Sequence, residues 1–162
     1  ATKAIAGWHD PIDDNAVVTV ANDAIAVRFF PPSSDLRPFV LDIALYETRH
    51  VDVGTRITEF LPGAATICIA ATPAPLTVRI RNRSHRCHND AILIGPTSQL
   101  IRAEGAGGRI VAITIAPTGW GRFFAAPAHR LANRIAPLAE LWDEGTVTAL
   151  REAVATIRIT RI

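Results

Sequence analysis

The sequence predicts a mainly β fold with helices gathered at its C-terminal end. Three observations predict it. Up to Pro117 the apolar residues fall in many runs of strand length, several with strict alternation. Gly and Pro punctuate those runs, as in a sandwich or a barrel. After Pro117 apolar and aromatic residues recur at spacings of three and four.

Residues 1–15 carry no period and are expected to form an N-terminal arm. Ala16 to Val20 and Ala24 to Phe30 are expected strands, turning at Ala21-Asn22-Asp23. Pro31 and Pro32 end the second. Ser33, Ser34 and Asp35 can cap a short helical turn near Leu36. Phe39 to Tyr46 reads as extended or partly helical, with alternation favouring a strand in its second half. Val51 to Leu61 follows, broken by Gly54 and ended by Pro62-Gly63. Ala64 to Ala71 reads as a buried strand. In Leu76 to Arg83, Leu76, Val78 and Ile80 point one way, and Thr77, Arg79, Arg81 and Arg83 the other. Ala91 to Ile94 is short and stops at Gly95-Pro96. Gln99 to Ala103 and Arg109 to Ala116 are expected to pair as a hairpin around Gly105, Gly107 and Gly108. Thr118 to Ala126 and Ala128 to Ile135 read as helices, and Pro137 to Trp142 as a short turn. A last helix from about Thr146 carries the stripe Val147, Leu150, Val154 and Ile157. The expected division is an arm at 1–15, a β unit at 16–116 and a helical segment at 117–162.

The 162 residues suffice for one domain with a real core and are too few for two ordinary ones. Seventeen basic and fifteen acidic residues leave a net charge of +2, too balanced to predict nucleic-acid binding by this chain alone. Lys3 is the only lysine, a bias read as coding composition. No apolar run approaches the roughly 18–20 residues of a membrane helix, and Trp8, His9, Asp10 and Pro11 interrupt any leader-like core. A cytoplasmic location is expected, without membrane contact. Cys68 and Cys87 do not make a disulfide framework, and Cys68 reads as a buried thiol. The chain has no Met and is expected to be trimmed from a longer one.

Motifs for chemistry are sparse. No Gly-x-Ser-x-Gly elbow, phosphate loop or dinucleotide fingerprint occurs. The run Gly105-Ala106-Gly107-Gly108 precedes a strand, so it is no phosphate cradle. His85-Arg86-Cys87-His88, with Asp90 beyond, is the one set with metal-ligand types. On a strand His85 and Cys87 would share a face while His88 pointed away. A polar loop between strands is the favoured reading, so no metal and no cofactor are expected. Arg79, Arg81, Arg83 and Arg86 could form an anion patch, and a solvated, charge-guarded edge is the favoured reading. His9, His50 and His129 are isolated. Trp120, Phe123, Phe124 and Trp142 could line a pocket, and packing of the helices onto the β unit is favoured.

The order of motifs in the second half is more specific. It runs Gly95-Pro96, then Ile113-Thr114-Ile115-Ala116-Pro117, then Gly119-Trp120-Gly121-Arg122-Phe123-Phe124. Pro127-Ala128, Leu131-Ala132-Asn133-Arg134-Ile135 and Pro137-Leu138-Ala139-Glu140-Leu141-Trp142 follow. Upstream stand Pro31-Pro32-Ser33-Ser34-Asp35-Leu36-Arg37-Pro38-Phe39-Val40 and Leu61-Pro62-Gly63. This succession, across most of residues 28–157, resembles the N-terminal sensor domain of AraC-type bacterial transcriptional regulators. The chain departs from that pattern in two places. Pro62 stands directly before the turn Gly, where the family has Asp. Ala139 stands where the family has the first of two acidic residues before Leu-Trp.

The resemblance implies a cupin-like β-barrel or jelly roll that binds a small-molecule effector of unknown identity and does no catalysis. It implies a homodimer, for which Val147, Leu150, Val154 and Ile157 are candidate contacts, with packing on the barrel an equal alternative. DNA would be reached only through a helix-turn-helix part absent from these residues. The competing class is a stand-alone cupin-type metal enzyme built on His85, Cys87 and His88, or His50. The usual cupin pattern of His-x-His followed by Glu is missing, and Glu104 is the one carboxylate near the expected spacing after Cys87. A third class is a carbohydrate- or anion-binding β module using the stretch Arg79 to Arg86.

Overall fold

The computed structural model describes residues 18–21, 25–50, 54–72, 75–87 and 91–156. The expected arm at 1–15, His9, His88, Asp90 and Ile157 lie outside them. Eleven strands form among the described residues: β1 (Val18–Ala21), β2 (Ile25–Phe30), β3 (Val40–Thr48), β4 (Arg56–Phe60), β5 (Thr66–Ala70) and β6 (Leu76–Ile80), then β7 (Arg83–Cys87), β8 (Ala91–Ile94), β9 (Ile101–Gly105), β10 (Gly108–Ile115) and β11 (Ile135–Pro137). Helices α1 (Trp120–Phe123), α2 (Ala128–Leu131) and α3 (Glu144–Ala155) come late, with 3-10 turns at Pro117–Gly119 and Leu138–Glu140. The expected class, mainly β with C-terminal helices, is therefore what the chain adopts.

All strand pairs among the described residues are antiparallel. A seven-stranded sheet has the order β1-β2-β3-β10-β5-β8-β11, and a four-stranded sheet the order β4-β9-β6-β7. Both keep free edges, so the strands form two facing sheets and not a closed barrel.

Alternation divides the core in two. From the large sheet Leu45, Ile67, Ile69, Leu93, Val111 and Ile115 pack outward against Phe124, Leu138, Val147 and Val154 of the C-terminal segment. From the opposite face Ile92 and Ile94 meet Val78, Ile80, Cys87 and Ile101 of the small sheet. The order of layers is thus helices, large sheet, small sheet. Ile67, Ile69, Leu93 and Leu138 are essentially inaccessible, and burying each such side chain contributes roughly 1.5–3 kcal/mol relative to leaving it in water.

Four local expectations are corrected. Gln99 to Ala103 and Arg109 to Ala116 do not pair as a hairpin. β9 lies between β4 and β6, and β10 between β3 and β5, so the glycine segment carries the chain from one sheet to the other. It does so at φ +110 for Gly107 and +140 for Gly108. A Cβ on Gly107 would stand 2.8 Å from the Arg49 carbonyl oxygen. Next, the stretch around His85 is not a loop. Arg83–Cys87 pairs with β6 through backbone hydrogen bonds, which need no apolar side chain. Third, the helix expected at 128–135 stops after one turn. Asn133 takes φ +56, and Ile135–Pro137 then pairs with β8. Asn is among the few residues that tolerate that region. Finally, the helix expected at Thr118 to Ala126 is a 3-10 turn plus one α turn, ended by the extended backbone of Phe124.

The last helix starts two residues earlier than expected. Asp143 caps it, accepting hydrogen bonds from the Thr146 amide at 2.9 Å and the Thr146 hydroxyl at 2.6 Å. Val147 and Val154 are buried, and Leu150 packs against the same core. Three of the four residues proposed for a dimer face, Val147, Leu150 and Val154, thus pack within the chain, and Ile157 lies outside the described residues. No helix among the described residues is long and apolar enough to cross a membrane.

Candidate functional site

Between the sheets lies a partly open cavity of about 370 Å³. That falls at the lower end of the roughly 300–1,000 Å³ usual for small-molecule sites. Strand parity decides its walls. The large sheet turns Tyr46 and Thr48 of β3, Thr66, Cys68 and Ala70 of β5, Ile92 and Ile94 of β8, and Ile110, Ala112 and Thr114 of β10 toward it. The small sheet supplies Arg56, Thr58 and Phe60 of β4, Leu76 and Val78 of β6, Cys87 of β7, and Ile101 and Ala103 of β9.

The space exists because of residue size. On β5 the outward positions are Ile67 and Ile69, and the inward ones Thr66, Cys68 and Ala70. On β10 the inward positions include Ala112 and Thr114, against Val111, Ile113 and Ile115 outward. The bulky set fills the layer under the helices, and the small set leaves a gap between the sheets. That contrast is visible in the sequence and is the signal that could have fixed which face lines the pocket.

Tyr46 and Phe60 span the gap. Their rings meet edge to face at 5.5 Å, one from each sheet, a favoured aromatic geometry. Burial pushes the Tyr46 phenol above its ordinary range, with Cys68 and Asp42 adding to the effect. Burial, helped by neighbouring Cys87, pushes the Cys68 thiol up to about 12. Both groups are therefore neutral near pH 7, and Cys68 is no activated nucleophile. Asp42 lies on the same face of β3 toward the far end, where its Oδ1 accepts from the Thr114 hydroxyl at 2.9 Å.

Arg56 is the exception on an otherwise uncharged wall. It shares the inward face of β4 with Thr58 and Phe60, while Ile57 and Glu59 between them are exposed. Its Nε is buried without a hydrogen-bond partner among the described residues. Arg109 also borders the cavity. Its place on β10 alternates with Ile110, which puts it on the face opposite the cavity. No Asp or Glu among the described residues lines the space. The ion pairs found among the described residues, Arg28 with Glu47 at 2.9 Å and Arg102 with Glu59 at 2.7 Å, do not involve Arg56. Neither motif nor spacing pointed to Arg56. Its signal was a lone charge at an inward position of an alternating strand.

Of the residues singled out from sequence, Cys87 lines the cavity and His85 shares its side of β7. His88 lies outside the described residues. Among those described, no three His, Cys, Asp or Glu groups gather closely enough to hold a metal ion. Arg79, Arg81, Arg83 and Arg86 are exposed along the β6–β7 hairpin and do not border the cavity. His50 and His129 are exposed. Glu104 accepts from the Thr55 hydroxyl at 2.8 Å on the exposed side of β9. Trp120, Phe123, Phe124 and Trp142 belong to the helical layer and take no part in the cavity.

The arrangement can bind and enclose a small molecule with a mostly apolar body. No protein-family model matches the chain, and no curated protein matches it significantly.

Proposed function

We propose that the chain is the effector-binding and dimerising domain of an AraC-type transcriptional regulator, with a cupin-like jelly roll open at its seams. The partly open, mostly apolar cavity between the sheets is the observation that carries this reading. The order of motifs from Gly95 to Trp142 supports it. The protein acts in the cytoplasm as a homodimer, performs no catalysis, and reaches DNA through helix-turn-helix units that follow this domain.

The layer order supplies a physical route for signalling. β5, β8 and β10 present one face to the cavity and the other to the helices. An effector that displaces Cys68, Ile92 or Ala112 moves strands whose outer residues Ile69, Leu93 and Val111 belong to the core beneath the helical layer. Differential binding to two positions of that layer biases the attached unit. Val147 and Val154 are buried, so dimer contacts through α3 would use its exposed face, around Ala149, Glu152 and Ala153.

The test is a thermal-shift screen of the chain with small sugars, aromatic acids, aliphatic acids and neutral lipophiles, paired with light scattering to measure mass. The reading expects a dimer and at least one class that stabilises it. A ligand at about a hundred times its Kd should add about 2.7 kcal/mol. A monomer that no class stabilises would overturn it.

A further inference from the structure

We infer that the cavity takes an amphipathic carboxylate, its apolar body held between the sheets and its anionic head held by Arg56. The inference rests on the cavity being the ligand site and names the ligand's chemical class.

Three observations converge. First, the walls beyond the Arg56 end are largely aliphatic and aromatic: Phe60, Val78, Ile92, Ile94, Ile101 and Ala112. They favour a body that water rejects. Second, Arg56 enters that space from β4 with a buried Nε that no described residue accepts from. A guanidinium is never deprotonated at ordinary pH, so it cannot relieve its desolvation by losing charge. Its buried Nε–H needs an acceptor, and a carboxylate matches the planar fork with two parallel hydrogen bonds. Third, no described Asp or Glu lines the cavity to serve as that acceptor, which favours a ligand that brings the counter-charge.

Arg56, the cationic group of the inward faces, stands at one end of the space. Register places Arg56 opposite Gly105 in the small sheet, and Thr48 opposite Gly108 in the large one. Thr72 donates no charge but lies at the same end, its hydroxyl accepting from the Arg109 amide at 3.0 Å. Ile94, Ile101 and Thr114 line the other end. One end therefore suits a charged head and the remainder a hydrocarbon or aromatic body. A cationic ligand would meet Arg56 as a like charge, and a fully apolar one would leave it unpaired.

Three probes of similar shape separate these cases: octanoate, octanamide and octylamine, each titrated calorimetrically into the chain. Octanoate is expected to bind at least about tenfold more tightly than octanamide, a difference of about 1.4 kcal/mol, and octylamine more weakly still. In Arg56→Gln, octanoate affinity should fall to that of octanamide, while octanamide affinity stays unchanged and so reports an intact fold. Arg56→Lys should fall between the two, keeping charge without the fork. The ligand-free Arg56→Gln protein should melt no lower than the parent, because a side chain kept for binding is unsatisfied until ligand arrives. Equal binding of octanoate and octanamide, or octanoate binding indifferent to Arg56→Gln, would overturn the inference and leave the cavity as a ligand site of other chemistry. A marked fall in ligand-free stability would overturn it by giving Arg56 a structural role. Failure of all three probes to bind overturns it as well, and with a silent effector screen the sensor reading falls too.

Discussion

The indole Nε1 of Trp142 donates to the Phe123 carbonyl oxygen at 2.7 Å, tying the end of α1 to the approach to α3. The same indole ring stacks on Phe124 at 5.6 Å with an interplanar angle of 16°. Trp120 completes the set, 4.7 Å from Phe124 and donating to the Ala126 carbonyl at 2.7 Å. The single turn of α1, too short to be stable alone, and the approach to α3 are thus held by aromatic burial and two indole hydrogen bonds. Replacing Trp142 with Phe keeps the ring contact and removes the donor. Urea unfolding should show a loss of about 1–2 kcal/mol, with the large sheet's far-ultraviolet signal retained. A change near zero would mean water replaces the bond without cost.

What could be read from the sequence was periodicity, and what could not was partnership. Leu76, Val78 and Ile80 alternate plainly, and they face inward. The stripe Val147, Leu150 and Val154 is legible because a helix lying on a sheet must bury one face. β7 was hidden because Arg83, Ser84, His85 and Arg86 show no apolar alternation. An edge strand can be held by backbone bonds to one neighbour. The placement of β9 and β10 in different sheets was hidden too. Adjacent strands with a glycine loop usually pair, and only the competing partners β3, β4, β5 and β6 decide otherwise. The break at Asn133 depends on distant contacts. Its Oδ1 accepts from the Thr97 hydroxyl at 2.8 Å and the Ser98 amide at 2.9 Å. Arg56 was missed because its meaning lies in what surrounds it and not in a motif.

Gly119 supports the turn into α1 by close approach. A Cβ there would overlap the Phe39 carbonyl oxygen, and that atom is backbone and cannot swing away. Gly119→Ala should therefore cost about 2–3 kcal/mol through forced separation of the turn from β3. Gly121, two residues on, offers the control, since nothing lies within 4 Å of a Cβ built on it. Gly121→Ala should be neutral or add up to about 1 kcal/mol, because alanine orders the helical turn better than glycine. Thermal melts of the pair decide. Equal effects would refute the steric account.

Cys68 should behave as an inert thiol. With its pKa pushed up to about 12 by burial, about one molecule in ten thousand carries the thiolate at pH 8, and the thiolate is the reactive form. Iodoacetamide at pH 8 should modify Cys68, half-buried in the cavity wall, much more slowly in the native chain than in urea, as peptide mass mapping would show. Native labelling at the rate of a free thiol would mean that the cavity wall opens to water. An amphipathic carboxylate bound in the cavity should slow whatever labelling occurs.

The cap of α3 makes stability depend on pH in a defined window. Hydrogen bonds from the Thr146 hydroxyl and amide hold the Asp143 carboxyl below its ordinary value of 3.8. The folded state therefore binds this proton less readily than the unfolded one. The cap's contribution is present in full above the ordinary value and is lost as pH falls through the lowered one. The carboxyl is fully exposed, so the effect is modest and screened by salt. Asp35 is lowered in the same direction by the Ser33 hydroxyl, so a simple acid titration would mix the two. Asp143→Asn isolates the cap. Asparagine caps helices about as well as aspartate and does not titrate. The variant should match the parent near neutral pH and lose less stability than the parent between about pH 5 and pH 2. Urea unfolding at both ends of that range reads the difference, and parallel pH profiles would remove Asp143 from the account of α3.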